Sequence, residues 1–193
     1  MTTAFDTFMV QYQMTGSEKA DGYTRDAFDG LTESESETVF SLLETELPFS
    51  VRWLFVVDPV RAYEVVKIAE AKMRGDSYRA PYLLQEQLFI HSGDMQYLRR
   101  MLEDYPVYVD EQKASVVNTV GRLPAHQDTI DFFKKIILFE TDSDAVFHAA
   151  NELLIALAFP RQSESEKQQY RQFLKQLTDE SAEVRSHALE QIV

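Results

Sequence analysis

The spacing of apolar residues between Ser143 and Leu157 constrains the fold more than any other feature of the chain. Val146, Ala149, Ala150, Leu153, Leu154 and Leu157 recur three and four positions apart. At 3.6 residues per turn all six fall on one stripe of a helix, and a stripe of that width must be buried against something. The same period runs through most of the sequence: Val39, Phe40, Leu43 and Leu47; Ala62, Val65, Val66, Ala69 and Met73; Leu98, Met101 and Leu102; Val116, Val117, Val120 and Leu123; Ile130, Phe133, Ile136 and Ile137; Tyr170, Phe173, Leu174 and Leu177.

Punctuation between these stripes is helical as well. Prolines stand at 48, 59, 81, 106, 124 and 160, in the intervals between stripes. Thr32 with Glu35, and Ser163 with Glu166, have the spacing of a capping box, in which each residue satisfies an orphan N–H of the other. Asp58-Pro59 reads as an N-cap followed by a first-turn proline, and Gly75 as the stop of the helix that follows. "VRWLFVVD", Val51 to Asp58, is rich in branched and aromatic residues and is the best strand candidate. It lacks alternation and a partner run, so the expectation is a short buried helix. Nine or more helices with short loops and no hairpin signal predict an all-α chain of antiparallel helix pairs, a single domain over residues 1–193.

One internal repeat is visible. Val146, Ala150 and Leu154 match Val184, Ala188 and Ile192 at a constant offset of 38, each set behind a short acidic opening. That offset is near the period of HEAT and armadillo units. The expectation is a short HEAT-like α-solenoid with its clearest units at 125–193. Another step back lands in "VYVDEQ", which does not fit.

Charge and composition limit the function. The formal net charge is −13, which disfavours a non-specific nucleic-acid binder and favours basic partners. Residues 18–46 hold nine acids against two bases, a net −7, so an acidic N-terminal face is the clearest electrostatic feature. With no cysteine, thiolate chemistry and disulfides are excluded, and a reducing compartment is the natural setting. No apolar run is long enough to cross a bilayer, and "MTTAFDTFMVQYQ" lacks a basic region and a cleavage site. The expectation is a cytoplasmic protein with no membrane and no nucleic-acid partner.

No catalytic signature is present. The chain lacks the glycine turns that cradle phosphates, H-E-x-x-H and G-x-S-x-G. His91, His126, His148 and His187 have no ligand spacing, and "HQD" at 126–128 reads as a loop or cap. The sequence therefore names no catalytic, metal-binding or cofactor-binding residue, and the expectation is a non-enzyme. Its candidate contact residues are Asp21, Tyr23, Asp26, Asp29, Glu33, Glu35 and Glu37. An aromatic anchor ringed by carboxylates suits a basic protein partner. The competing reading is a helix that buries Tyr23, Ala27 and Phe28 and keeps a solvated acidic side. Arg99 and Arg100 are expected to pair with Glu103 and Asp104 one turn on.

The segments "RDAFDGL", "LLETELP", "LLQEQLFIHSGD", "MLEDYPVYVD" and "TIDFFKKIIL" are together similar to the all-helical bacterial immunity proteins encoded beside polymorphic toxins of the Rhs and contact-dependent type. The resemblance spans roughly residues 4 to 157 and rests on overall pattern, so no binding residue carries over by motif. It implies a cytosolic antidote that binds the toxin domain of a cognate effector and blocks its active site or assembly. A basic nuclease would suit the acidic face; a non-nuclease toxin is equally permitted. The alternative is a HEAT-like adaptor or scaffold without an antitoxic role. Exposed Tyr and Phe would serve a homo-oligomer as well as a toxin interface.

Overall fold

The computed structural model describes residues 1–20 and 22–192 and is all-helical, with twelve α-helices, two 3-10 turns and no strand among the described residues. It divides into two compact units, Met1–Met73 and Arg74–Val193.

In the first unit α1 (Thr3–Gln13) starts where the Thr2 hydroxyl accepts the Phe5 N–H at 3.1 Å. A five-residue α2 (Gly16–Ala20) and a 3-10 turn (Arg25–Ala27) follow. The Thr32–Glu35 capping box forms as expected and opens α3 (Glu33–Thr45), which buries Val39, Phe40 and Leu43. Such a cap contributes about 1 kcal/mol. Val51–Val57 is a helix, α4, not a strand. It buries Val51, Leu54 and Phe55 at spacings of three and four and packs on α3 and on α5 (Pro59–Met73). Packing on both flanks overrides the β preference of its residues, which is itself largely a preference for burial context. The Asp58 carboxylate accepts the N–H groups of Val60 and Arg61 at 3.1 and 3.0 Å, so the expected Asp-Pro start holds.

The second unit begins with α6 (Pro81–Ser92), which ends at Gly93 with φ of 69°, a left-handed position that glycine takes without steric cost. Asp94 then caps α7 (Met95–Asp104) through the Gln96 N–H at 2.9 Å. A 3-10 turn at Tyr105–Val107 leads to α8 (Asp110–Gly121). His126 is the N-cap of α9 (Gln127–Phe139), its Nδ1 accepting the Asp128 N–H at 3.1 Å, so the "HQD" stretch is a cap. Then come α10 (Ser143–Ala156), α11 (Glu164–Leu177) with its Ser163–Glu166 capping box, and α12 (Ala182–Ile192).

Packing in this unit centres on α10, which rests on α8, α9 and α11. Ala149 and Ala150 are fully buried there, and their small side chains let the helix axes approach. Val146, Leu153 and Leu154 fill the space around them. α10 ends in a Schellman motif: the Phe159 N–H donates to Leu154 O and the Ala158 N–H to Ile155 O, both at 2.9 Å. Ala158 has φ of 52°, the only non-glycine with positive φ among the described residues. No glycine announces this stop in the sequence.

Contacts also follow an alternation, with α6 on α8 and α8 on α10, and α7 on α9 and α9 on α12. The two matched sequence segments do not behave alike. Val146 is 4% exposed, whereas Val184, at the matching position of α12, is 38% exposed. α12 packs on α9 and α11, and buries only Ala188 and Leu189.

For Arg99 the expected pairing with Glu103 gives way to a longer-range arrangement, and Asp104 is held from outside its own helix. Asp104 is buried and accepts both hydrogen bonds from Arg74 Nε, at 3.0 and 2.9 Å, and one from Gln85 Nε2 at 3.0 Å. Arg74 also reaches Glu103 at 3.0 Å, and Arg99 pairs instead with Asp128 at 3.3 Å. A buried carboxylate needs all its partners, so three-dimensional proximity outranks helical spacing.

Candidate functional site

The first unit carries the acidic face and, next to it, a cavity. Five aromatic rings build the interior behind both. Phe8 stacks on Tyr12 and Tyr23 with centroids 5.9 and 5.2 Å apart, and Phe28 stacks on Trp53 at 4.7 Å. Tyr23 and Phe28 meet edge to face at 5.9 Å. Such contacts add about 1 kcal/mol each beyond the area they bury.

The seven candidate residues meet different fates. Asp21 lies outside the described residues. Tyr23 belongs to the interior, with its ring buried in the cluster and its hydroxyl donating to the Glu46 carboxylate. Ala27 and Phe28 are buried beside it, as the competing reading had it, although a 3-10 turn and not a helix presents them. Asp29 is exposed and pairs with Arg25 at 3.3 Å. Glu37 is exposed and pairs with Arg61 of α5 at 2.7 Å, the same guanidinium lying 4.0 Å over the Phe40 ring.

Glu35 is a clasp. It accepts the N–H and hydroxyl of Thr32 at 2.9 and 3.0 Å and the N–H and hydroxyl of Thr2 at 2.8 and 3.0 Å, tying the start of α1 to the start of α3. The Thr32 N–H, opposed by burial and helped by the Thr2 N–H and hydroxyl, draws this carboxyl down to about 2. Asp26 and Glu33 remain exposed and form no ion pair among the described residues; the same holds for Glu18 and Glu44. Among the described residues these four are the exposed carboxylates of the acidic face without a partner; Glu35 is hydrogen-bonded but keeps its charge.

Sequence reasoning missed the group that joins this face to the cavity. Lys19 Nζ donates to Tyr12 O and to Tyr23 Oη, both at 3.0 Å, and pairs with Glu46 Oε1 at 2.7 Å. The same ammonium lies 4.9 Å from the Tyr12 ring centre and 4.8 Å from that of Tyr23. Burial, then the bond to Glu46 and its charge, push the Tyr23 phenol well above its ordinary range. Its proton therefore stays in place at neutral pH, and the phenol is neither base nor nucleophile.

Around this triad is a cavity of about 860 Å³, walled by Met14, Leu47, Phe49 and Trp53 besides Tyr23. Phe49 stands 79% exposed at its rim. Lys19 and Tyr23 are four residues apart, which is the one local signal for the triad; nothing in the sequence points from either of them to Glu46.

Among the described residues no helix is long and apolar enough to cross a membrane, and no three His, Asp or Glu side chains are grouped as metal ligands. Comparison of the chain with protein-family models, with curated proteins and with solved structures found no match.

Proposed function

We propose that the chain is an immunity protein that neutralises a cognate toxin effector domain by protein–protein contact in the cytoplasm, without catalysis of its own. The observation that carries the reading is the exposed, unpaired set Glu18, Asp26, Glu33 and Glu44 on a unit whose interior is packed with stacked rings. Exposed carboxylates of one sign accelerate encounter with a basic partner, and the charge excess outlasts any ordering of the side chains on binding. The similarity of five segments to all-helical immunity proteins supplies the biological class. A basic nuclease is the toxin that such charge would suit best.

A second reading has an observation of its own. The alternation of α6, α8 and α10 with α7, α9 and α12 supports a short HEAT-like stack, and a stack of that kind also serves adaptors. The helix α11 falls outside the alternation, on α10 and α12.

Co-expression with the C-terminal domain encoded by the adjacent gene tests the first reading. Growth rescue and a co-purifying complex are expected. Asp26→Lys with Glu33→Lys should slow association and weaken its salt dependence, while leaving the fold intact. A neighbour that is not toxic, or that does not bind, sinks the immunity reading and leaves the adaptor.

A further inference from the structure

We propose that the cavity bounded by Lys19, Tyr23, Glu46, Phe49 and Trp53 receives the guanidinium of an arginine side chain presented by the protein partner. This rests on the reading that the partner is a basic protein.

Hydrogen-bond polarity selects the ligand. Four polar side chains in the cavity have committed their donors to other groups, which leaves the Thr15 hydroxyl and the Trp53 indole N–H as the side-chain donors still open there. Ser50 Oγ donates to Leu43 O at 2.5 Å, and Thr45 Oγ1 to Leu42 O at 2.7 Å. Tyr23 donates to Glu46. All three protons of the Lys19 ammonium are taken, by Tyr12 O, Tyr23 Oη and Glu46. What these groups retain is acceptor capacity: the second lone pairs of the Glu46 oxygens and the lone pairs of the Ser50 and Thr45 hydroxyls. An anion entering here would find only the Thr15 hydroxyl and the Trp53 N–H to set against these acceptors, and a neutral apolar group would leave the acceptors unpaired. A ligand rich in N–H donors satisfies them.

Charge and shape point the same way. Residues 1–73 carry thirteen acids and six bases, and Glu44 and Glu18 lie exposed next to the lining residues Thr45 and Lys19. Cations already sit against the rings of this unit, Lys19 by Tyr12 and Tyr23 and the Arg52 guanidinium 5.4 Å from the Trp53 centre. Phe49, 79% exposed, offers a further aromatic face at the rim. Arginine fits better than lysine because its planar head stacks on a ring while its fork reaches several acceptors at once. The volume admits a whole side chain with its aliphatic stem.

Trp53 is the only tryptophan of the chain and forms one wall of this cavity, so its fluorescence gives a local readout of binding there. The full chain is titrated with N-acetyl-arginine N-methylamide and, as the neutral isostere, with the citrulline analogue. A saturable response to the arginine compound is expected, with the citrulline compound weaker by about tenfold or more. Glu46→Gln should abolish the preference. Glu111→Gln, the same charge change on α8 of the second unit, should leave it. Phe49→Ala, at a position the fold does not use, should weaken binding several-fold even if Glu46→Gln disturbs the unit. Equal responses to the two compounds, no saturation, or binding unaffected by Phe49→Ala would each overturn the proposal. Where a toxin domain co-purifies, the arginine compound should compete with it. Binding without competition would assign the cavity to a free guanidinium compound and overturn the protein source. The titration reads the cavity even if the neighbouring gene proves not to encode a toxin, so the two readings fail separately.

Discussion

Glu140 offers the sharpest test of the energetics. It lies at the end of α9 with its side chain 10% exposed. Burial pushes the carboxyl up, but four hydrogen bonds outweigh it: the N–H groups of Asp142 (3.2 Å) and Thr141 (2.8 Å), the Tyr105 hydroxyl (2.9 Å) and Lys113 Nζ (3.2 Å). The result is a carboxyl drawn down from the usual 4.5 to about 2. At about 1.4 kcal/mol for each tenfold change in proton affinity, ionised Glu140 contributes roughly 3 kcal/mol to folding at pH 7. The sign follows from the depressed folded value. The contribution is complete above the unfolded value, falls to roughly half near pH 3, and is lost as the pH drops through the folded value.

Glu140→Gln removes the charge while its amide oxygen can still accept the two backbone N–H groups. Urea unfolding of wild type and variant at pH 7, 5 and 3 gives the free-energy gap between them. We expect the gap to be nearly unchanged between pH 7 and 5 and to shrink by about 2 kcal/mol by pH 3. Other carboxylates titrate in both proteins and cancel in the difference, with Asp110, which shares Lys113 at 2.8 Å, the nearest exception. A gap constant with pH, or one that widens in acid, would refute the assignment of Glu140 as an ionised, hydrogen-bonded node.

Two further substitutions test the packing around α10. Leu153→Ala, at a side chain with no exposed surface, should cost about 3 kcal/mol in chemical unfolding, whereas Ile155→Ala, 40% exposed on the same helix, should cost under about 1 kcal/mol. Equal costs would mean that α10 does not present this face to the core. Ala158→Gly should raise the thermal midpoint, because an L-residue with φ of 52° is strained by about 1 kcal/mol that glycine relieves, less the entropy glycine adds to the unfolded chain. A lower midpoint would show that the methyl group's own contacts outweigh the strain.

Local chemistry made the helices legible in advance. Thr32, Asp58, His126 and Ser163 are caps because their side chains reach backbone N–H groups two or three residues away, a distance the sequence itself spells out. The stripe from Val146 to Leu154 is buried because helical periodicity puts those residues on one face. The strand-like run at Val51 became a helix because its apolar residues recur at three and four, and that too could be read beforehand. Ala158 is the counterexample: an alanine occupies the position that glycine usually marks.

The sequence alone settled the all-helical class, the helix starts and the acidic balance, since each depends on residues within a turn of one another or on a count. Only the tertiary structure decided which carboxylates find partners. It took Glu37 to Arg61, Glu35 to Thr2, Asp104 to Arg74, and Glu46 to Lys19 and Tyr23, leaving Asp26 and Glu33 in solvent. It also turned the Tyr23 ring inward and opened the cavity behind it. The physical reason is that ion pairs and buried hydrogen bonds are set by distance in space, and thirty-two acids and nineteen bases along a chain allow far more pairings than a sequence can rank.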